Sequence, residues 1–233
     1  EVAERTRSIV YPKWKNLTPE LADEIAKNFS IFEKSLYSYD YDSDVYGYKA
    51  YIDVQSFVDY FLINEFTVNY DAGGRSTFMY RDLGNRYKMC IWDFNACCGN
   101  YIRDVSDKTF FLTERTWFSK LATDEAFTQT VIDRYRDLRK TYFSDEYLSN
   151  YIDQTIAYLG PAVDRNFEKW GYTFDKDFEM LYPKDRNHIS YDDAVMQYKN
   201  FMIQRGAWLD ENIETLKSYS AESAVKQYTH EMR

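Results

Sequence analysis

The run Asp71-Ala72-Gly73-Gly74 separates a helical hydrophobic pattern from two strand-like runs, and it fixes what the middle of the chain can become. Upstream of it, Val54, Phe57, Val58, Phe61, Leu62 and Phe66 recur at helical spacing. Asp53 stands where an N-cap belongs, and the breaker predicts that this helix ends near Asn69. Downstream, Thr77 to Asp82 and Arg86 to Trp92 flank Gly84-Asn85, a dipeptide suited to a tight hairpin turn. A two-residue turn pairs Tyr80 with Met89 and Ser76 with Asp93. A three-residue turn, Leu83 to Asn85, instead sets Asp82 opposite Arg86 and Ser76 beside Trp92. Either register leaves Ser76 and Asp93 within one residue of each other.

The rest of the chain reads as helices around that hairpin. Thr18-Pro19-Glu20 combines an N-cap, a first-turn proline and a first-turn acid, and predicts a helix to about Tyr37. The chain is expected to turn helical again after Gly99. Asp124 to Tyr142 is one span, and Ser144 caps another that reaches Tyr158 and stops at Gly160-Pro161. Val163 to Trp170 follows. Ser190-Tyr191-Asp192-Asp193 resembles a capping box and opens a long helix, with a kink or break expected near Gly206. The predicted class is mainly α with a small β-hairpin, and 233 residues suit one domain over 1–233.

Composition narrows the function classes. The net charge of -9 argues against nucleic acid as a partner and against binding to an anionic membrane surface. The basic residues Arg134, Arg136, Arg139 and Lys140 are interrupted by Asp133 and Asp137, which reads as a solvated helix face. No apolar run approaches the ~20 residues that span a bilayer, so membrane insertion by this segment is not expected. Cys90, Cys97 and Cys98 make no disulfide framework, and with only His188 and His230 a zinc site is improbable. Aromatic residues make up 19% of the chain and are spread along it, which favours core packing over a sugar-stacking surface. The acidic run Ser38 to Tyr48 alternates Asp40, Asp42 and Asp44 like part of a calcium loop. Tyr46 occupies a ligand position there and Asp53 replaces the bidentate glutamate, so a solvated loop is the better reading.

Chemistry is concentrated between Asn64 and Asn100. Asp71 precedes the hairpin and Asp93 follows it, so the antiparallel return brings both to one end. Two carboxylates beside Gly-rich backbone suit a hard divalent cation and a proton acceptor. Phosphoryl transfer needs such positioning and charge neutralisation more than covalent chemistry. Turn formation is the structural alternative for both aspartates.

Tyr51-Ile52-Asp53, Asn64-Glu65, Asp71, Trp92-Asp93-Phe94-Asn95 and Gly99-Asn100 together resemble the core signature of the CotH (spore-coat protein H) kinase family. Arg205 with Trp208-Leu209-Asp210 is similar to that family's closing helix. The resemblance implies the C-terminal lobe of an atypical protein kinase, using ATP and Mg²⁺ to phosphorylate serine or threonine of a protein substrate. It implies a catalytic role for Asp71 and metal-holding roles for Asp93, Ser76 and Asn95. Ser76 falls where a catalytic loop of this kind offers Asn, and Asn95 where many relatives carry a second acid. A kinase also needs a sheet-borne lysine for the α/β-phosphates. Before residue 51 Lys13, Lys15 and Lys27 are poorly placed candidates and no strand-borne lysine is predicted, so the ATP-gripping N-terminal region is expected to be a missing part of the same chain. The fragment alone is then expected to have little activity. A secreted, cell-surface or spore-associated setting is implied by the resemblance alone. The competing expectation is a pseudokinase-like binding or structural surface module, including a carbohydrate-associated one.

Overall fold

The computed structural model describes residues 7–221. It is mainly helical, with one two-stranded antiparallel sheet. The helices are α1 (Pro19–Tyr37), α2 (Val54–Thr67), α3 (Thr116–Leu121), α4 (Glu125–Arg139), α5 (Asp145–Leu159), α6 (Pro161–Trp170) and α7 (Tyr191–Asn212). The strands are β1 (Phe78–Tyr80) and β2 (Lys88–Cys90), between α2 and α3.

Local sequence sets most helix starts. Thr18, Asp53, Asp124, Ser144 and Ser190 each accept a backbone N–H of the first turn through a side-chain oxygen. Such a cap satisfies a donor that the helix itself leaves unpaired and is worth about 1 kcal/mol. The expected cap at Asp53 is one of these, accepting from Ser56 N at 3.0 Å.

Helix α2 is the centre of the packing. Phe57, Val58, Tyr60, Phe61, Leu62 and Phe66 are all buried, so the helix is covered around most of its circumference, leaving the stripe of Gln55 and Asp59 toward solvent. It packs against α4, α7 and β2. Aromatic contacts thicken this core: Tyr60 stacks on Phe118 at 5.5 Å and Phe66 on Phe143 at 4.4 Å. The phenylalanines supply much of the core, as expected, whereas many of the tyrosines are exposed. The basic face of α4 is ion-paired: Arg134 with Asp59, Arg136 with Glu214, Arg139 with Asp145 and Asp210, and Lys140 with Asp137. No described helix is long and apolar enough to cross a membrane.

The hairpin lies along α2. Tyr87 N donates to Tyr51 O at 2.8 Å and Asp53 N to Tyr87 O at 2.9 Å, tying the return strand to the start of the helix. Met89 N donates to Ser56 Oγ at 2.9 Å. The register pairs Phe78 with Cys90, Met79 with Met89 and Tyr80 with Lys88. This is the three-residue alternative, and the two-residue pairing of Tyr80 with Met89 is corrected. The cause is the turn: Asn85 N donates to Asp82 O at 3.0 Å. Gly84 then takes the third position with φ +73, as a type II turn requires.

Two helical expectations are also corrected. Residues 100–111 form no helix after Gly99; the helical path resumes with the short 3-10 turn Leu112–Glu114 and α3. Helix α7 runs unbroken through Gly206 to Asn212. A Cβ on Gly206 would sit 3.0 Å from the Arg139 guanidinium carbon, so the glycine serves close approach rather than a break.

The irregular 100–111 segment is organised by a buried ion pair. Arg205 of α7 and Glu65 of α2 meet at 3.1 Å with side chains 0% and 1% exposed. Arg205 Nε also donates to the Glu65 carbonyl at 3.0 Å, and Nη2 to Thr109 O at 2.9 Å. Nη1 donates to the Asp107 carbonyl. Glu65 Oε1 accepts from Leu112 N at 2.7 Å, and the guanidinium stands 4.5 Å from the Trp208 ring centroid. Burial pushes the Glu65 carboxyl up, to about 7, against the pull of Arg205 and the amides of Leu112 and Phe111.

Removing one partner of such a pair strands the other charge. Arg205→Met is expected to cost about 3–5 kcal/mol in denaturant unfolding. Adding Glu65→Leu to it should recover part of that loss, because the orphaned carboxylate goes while the Leu112 amide remains unpaired. A double mutant no better than Arg205→Met would show that Glu65 is not the stranded charge.

Candidate functional site

The site is built from the turn that follows α2 and from the open end of the hairpin. Helix α2 ends at Val68, a β-branched residue held in the left-handed region at φ +47. Asn69 is buried beside it and donates through Nδ2 to Asn64 Oδ1 at 3.0 Å, while its backbone N–H donates to Asn64 O at 3.0 Å. This pair props the next turn from beneath. Ala72 N donates to Asn69 O at 2.9 Å, and the Asp71 carbonyl accepts Arg75 N at 2.7 Å and Gly74 N at 3.3 Å.

Asp71 is thus fixed by its backbone. Its half-buried carboxylate has no hydrogen bond or ion pair with any described residue. Gly73 follows at φ +73, and a Cβ there would lie 2.8 Å from both Leu112 Cδ2 and Arg115 Cβ. Thr116 Oγ1 donates to Gly73 O at 2.8 Å, fastening the loop from the start of α3.

Ser76 and Asp93 meet at the open end of the hairpin. Ser76 Oγ donates to Asp93 Oδ2 at 3.1 Å. Both residues are left-handed, at φ +40 and φ +57. Asp93 is exposed, so its carboxylate faces solvent while holding this bond. The expected proximity of Ser76 and Asp93 is therefore present, on the three-residue register. Asn95 is exposed on the next turn and accepts Asn100 Nδ2 at its carbonyl, 2.8 Å. That turn is anchored by Cys98, whose N–H donates to Thr67 O at 2.7 Å and whose carbonyl accepts Gln197 Nε2 at 3.2 Å. No hydrogen bond among the described residues joins Asp71 or Asn95 to the Ser76–Asp93 pair; each lies on a turn flanking it.

The donor chemistry is hard oxygen: one solvent-facing carboxylate, a hydroxyl and an amide, with a second carboxylate on the neighbouring turn. Among the described residues no three His, Cys, Asp or Glu converge as a metal cage. This set suits Mg²⁺, which is bound through one or two carboxylates with the rest of its shell supplied by water and substrate phosphates. It does not suit the fuller cage of Ca²⁺ or the Cys/His set of Zn²⁺. The acidic run before α2 bonds to itself instead: Gly47 N donates to Ser43 O, Tyr48 N to Tyr41 O, and Lys49 pairs with Asp44 at 3.0 Å. Cys97 and Cys98 are buried and no cysteine is in a disulfide.

Arg115 and Thr116, which brace the Asp71 loop, had no signal in the sequence. The double glycine Gly73-Gly74 reads in the sequence as a breaker, and the close approach of Arg115 to it is seen only in the structure. Asn64-Glu65 and Arg205 stand out in the sequence, but nothing local there shows that Glu65 and Arg205 pair.

This geometry defines a mainly helical domain with a hydrogen-bonded Ser76–Asp93 pair at the open end of a hairpin and, on the turn before it, an Asp71 carboxylate without a partner among the described residues. The family it belongs to follows from comparison: the chain is a member of the CotH kinase protein family, matched over residues 4–209. Comparison with curated proteins returned no match.

The left-handed backbone at Asp93 separates charge from fold. Asp93→Asn keeps an acceptor for Ser76 and a residue type that tolerates this region. Its unfolding free energy should stay within about 0.5 kcal/mol of the parent. Asp93→Val places a β-branched side chain there and should cost about 1–3 kcal/mol. Equal thermal melts for the two variants would show that this backbone conformation is not strained.

Proposed function

We propose that the chain carries the metal and acceptor side of an ATP- and Mg²⁺-dependent protein kinase acting on serine or threonine of a protein substrate. The observation that supports this most is the Ser76–Asp93 contact at the hairpin's open end, beside an Asp71 carboxylate with no partner among the described residues. Family membership supports the reaction class.

In this reading Asp93 holds Mg²⁺, with Ser76 and Asn95 as neutral oxygen donors. The metal neutralises charge on the nucleotide phosphates. Asp71 accepts the proton of the acceptor hydroxyl as that oxygen bonds to the γ-phosphorus. The bond from the γ-phosphorus to the β–γ bridging oxygen breaks and ADP leaves. A carboxylate committed to a salt bridge would be a poor base for this step; Asp71 is not so committed. The described residues before residue 51 hold α1 and 3-10 turns, with Lys13, Lys15, Lys27 and Lys34 exposed and Lys49 paired with Asp44. We therefore assign the sheet-borne lysine that grips the α/β-phosphates to a region outside these residues.

A second reading, a non-catalytic surface module, draws on one observation. Tyr147 and Tyr151 of α5 stack at 6.1 Å with planes 10° apart, and Tyr142 meets Tyr147 edge-on at 5.3 Å. All three rings are solvent-exposed, as a sugar-stacking face would be.

Nucleotide titration with and without Mg²⁺ on the full-length protein, together with single-turnover transfer, tests the proposal. Asp93→Asn should weaken Mg²⁺-dependent nucleotide binding by about tenfold or more. Asp71→Asn should leave binding nearly intact and slow transfer by about 10²–10⁴-fold. Nucleotide binding that ignores Mg²⁺ in the parent protein, or identical behaviour of the two variants, would overturn it.

A further inference from the structure

Arg115 has no carboxylate partner among the described residues. Its guanidinium lies 4.7 Å from the Tyr70 ring centroid, and Tyr70 is packed against Tyr101 at 5.0 Å and Phe111 at 6.1 Å. The side chain is half-buried, yet no described residue gives it an ion pair or a hydrogen-bond acceptor. Arg134, Arg136, Arg139, Arg186 and Arg205 each pair with a carboxylate, whereas Arg75, Arg81, Arg86, Arg103 and Arg165 have no ion pair among the described residues but are exposed; Arg115 combines partial burial with the lack of a carboxylate. In a chain of net charge -9, an arginine left without a carboxylate beside a candidate catalytic aspartate is notable chemistry.

Its position is fixed from both sides. Thr116, the next residue, is strained at φ +27 and bonds to Gly73 O, so Arg115 cannot drift from the Asp71 loop. The arginine stem covers Gly73, where a Cβ would lie 2.8 Å from Arg115 Cβ and 3.3 Å from its Cγ. The guanidinium reaches Gly74, where a Cβ would lie 3.1 Å from Nη1 and 4.0 Å from the Asp71 carbonyl. Gly74 is not left-handed, so the absence of a side chain there leaves room for the guanidinium rather than meeting a backbone need.

We infer that Arg115 is a phosphate-binding residue, its guanidinium holding oxygens of the transferring phosphoryl group beside Asp71; this rests on the kinase reading above. A guanidinium presents paired N–H donors that match phosphoryl oxygens. Charge spread over those oxygens in the transition state is what such a donor stabilises, provided it is already in place. Stacking on Tyr70 and the Thr116 anchor provide that placement. The arrangement also adds positive charge on the Asp71 side, complementing a metal set in which Ser76 and Asn95 are neutral.

The test uses the full-length protein with Arg115→Met, which keeps the stem over Gly73, and Arg115→Lys, which keeps the charge without the fork. Inorganic tripolyphosphate binding is measured by calorimetry, and kcat and KM for ATP and for the protein acceptor are measured separately, with thermal melts as the fold control. Arg115→Met is expected to weaken tripolyphosphate binding about tenfold or more and to lower kcat, with Arg115→Lys intermediate. If Arg115→Met melts early, Arg115→Lys carries the same comparison, with a several-fold loss expected. Weakened tripolyphosphate binding in a protein that transfers no phosphate would sustain the Arg115 site and sink the kinase reading. Unchanged tripolyphosphate binding with a raised KM for the acceptor alone would assign Arg115 to an acidic acceptor segment and overturn the inference. So would unchanged binding and unchanged transfer.

Discussion

The ion pair between Glu65 and Arg205 is a buried charged link within the packing of α2 against α7. The two residues are 140 positions apart, on α2 and α7. The segment between Asn100 and Phe111 has no helix or strand and only an isolated bridge, Arg103 with Tyr182, to satisfy its backbone, and carbonyls turned inward without partners are costly. Arg205 supplies donors to two of them, Asp107 and Thr109, while Glu65 receives the amide of Leu112. One pair of charges thus does for an irregular segment what a strand partner does for a sheet. Its net contribution to stability need not be large, since desolvation offsets much of the attraction. What it specifies is the path of the chain into α3.

That path matters because α3 begins with Arg115 and Thr116, the residues that brace the Asp71 loop. Helix α2 itself spans about 21 Å. At its start, Asp53 and Ser56 hold β2 through Tyr87 and Met89. At its end, Val68 and Asn69 launch the turn bearing Asp71. The hairpin runs alongside this helix, so its open end, with Ser76 and Asp93, is carried toward the end that bears Asp71. The site is therefore spaced by a buried rigid helix, although every candidate ligand lies on a loop.

Features written in local chemistry were legible in the sequence. Caps at Thr18, Asp53, Ser144 and Ser190 are short-range, and each was found where expected. The meeting of Ser76 and Asp93 followed from antiparallel pairing, which tolerates a one-residue error in register. Features written in distant partners were not legible. Residues 100–111 read as helical because nothing in that stretch announces Arg205. Gly206 read as a break because the guanidinium that needs its missing Cβ sits on α4. Arg115 carries no periodic or motif signal at all; only the contact with Gly73 and Gly74 gives it meaning.

Backbone strain follows the same map. Among the described residues the left-handed non-glycine positions are Val68, Ser76, Asp93, Cys98 and Thr116. All lie between the end of α2 and the start of α3, and each costs of order 1–3 kcal/mol unless its surroundings over-determine it. Those surroundings can be named: Asn64 and Asn69 under Val68, the Ser76–Asp93 bond, Thr67 and Gln197 on Cys98, Gly73 on Thr116. Asp tolerates this region better than a β-branched residue does, so Val68 and Thr116 are the costlier members. Both are hinge points of the Asp71 turn rather than ligands. The strain is thus greatest at Val68 and Thr116, where the loop is attached, and less at Asp93.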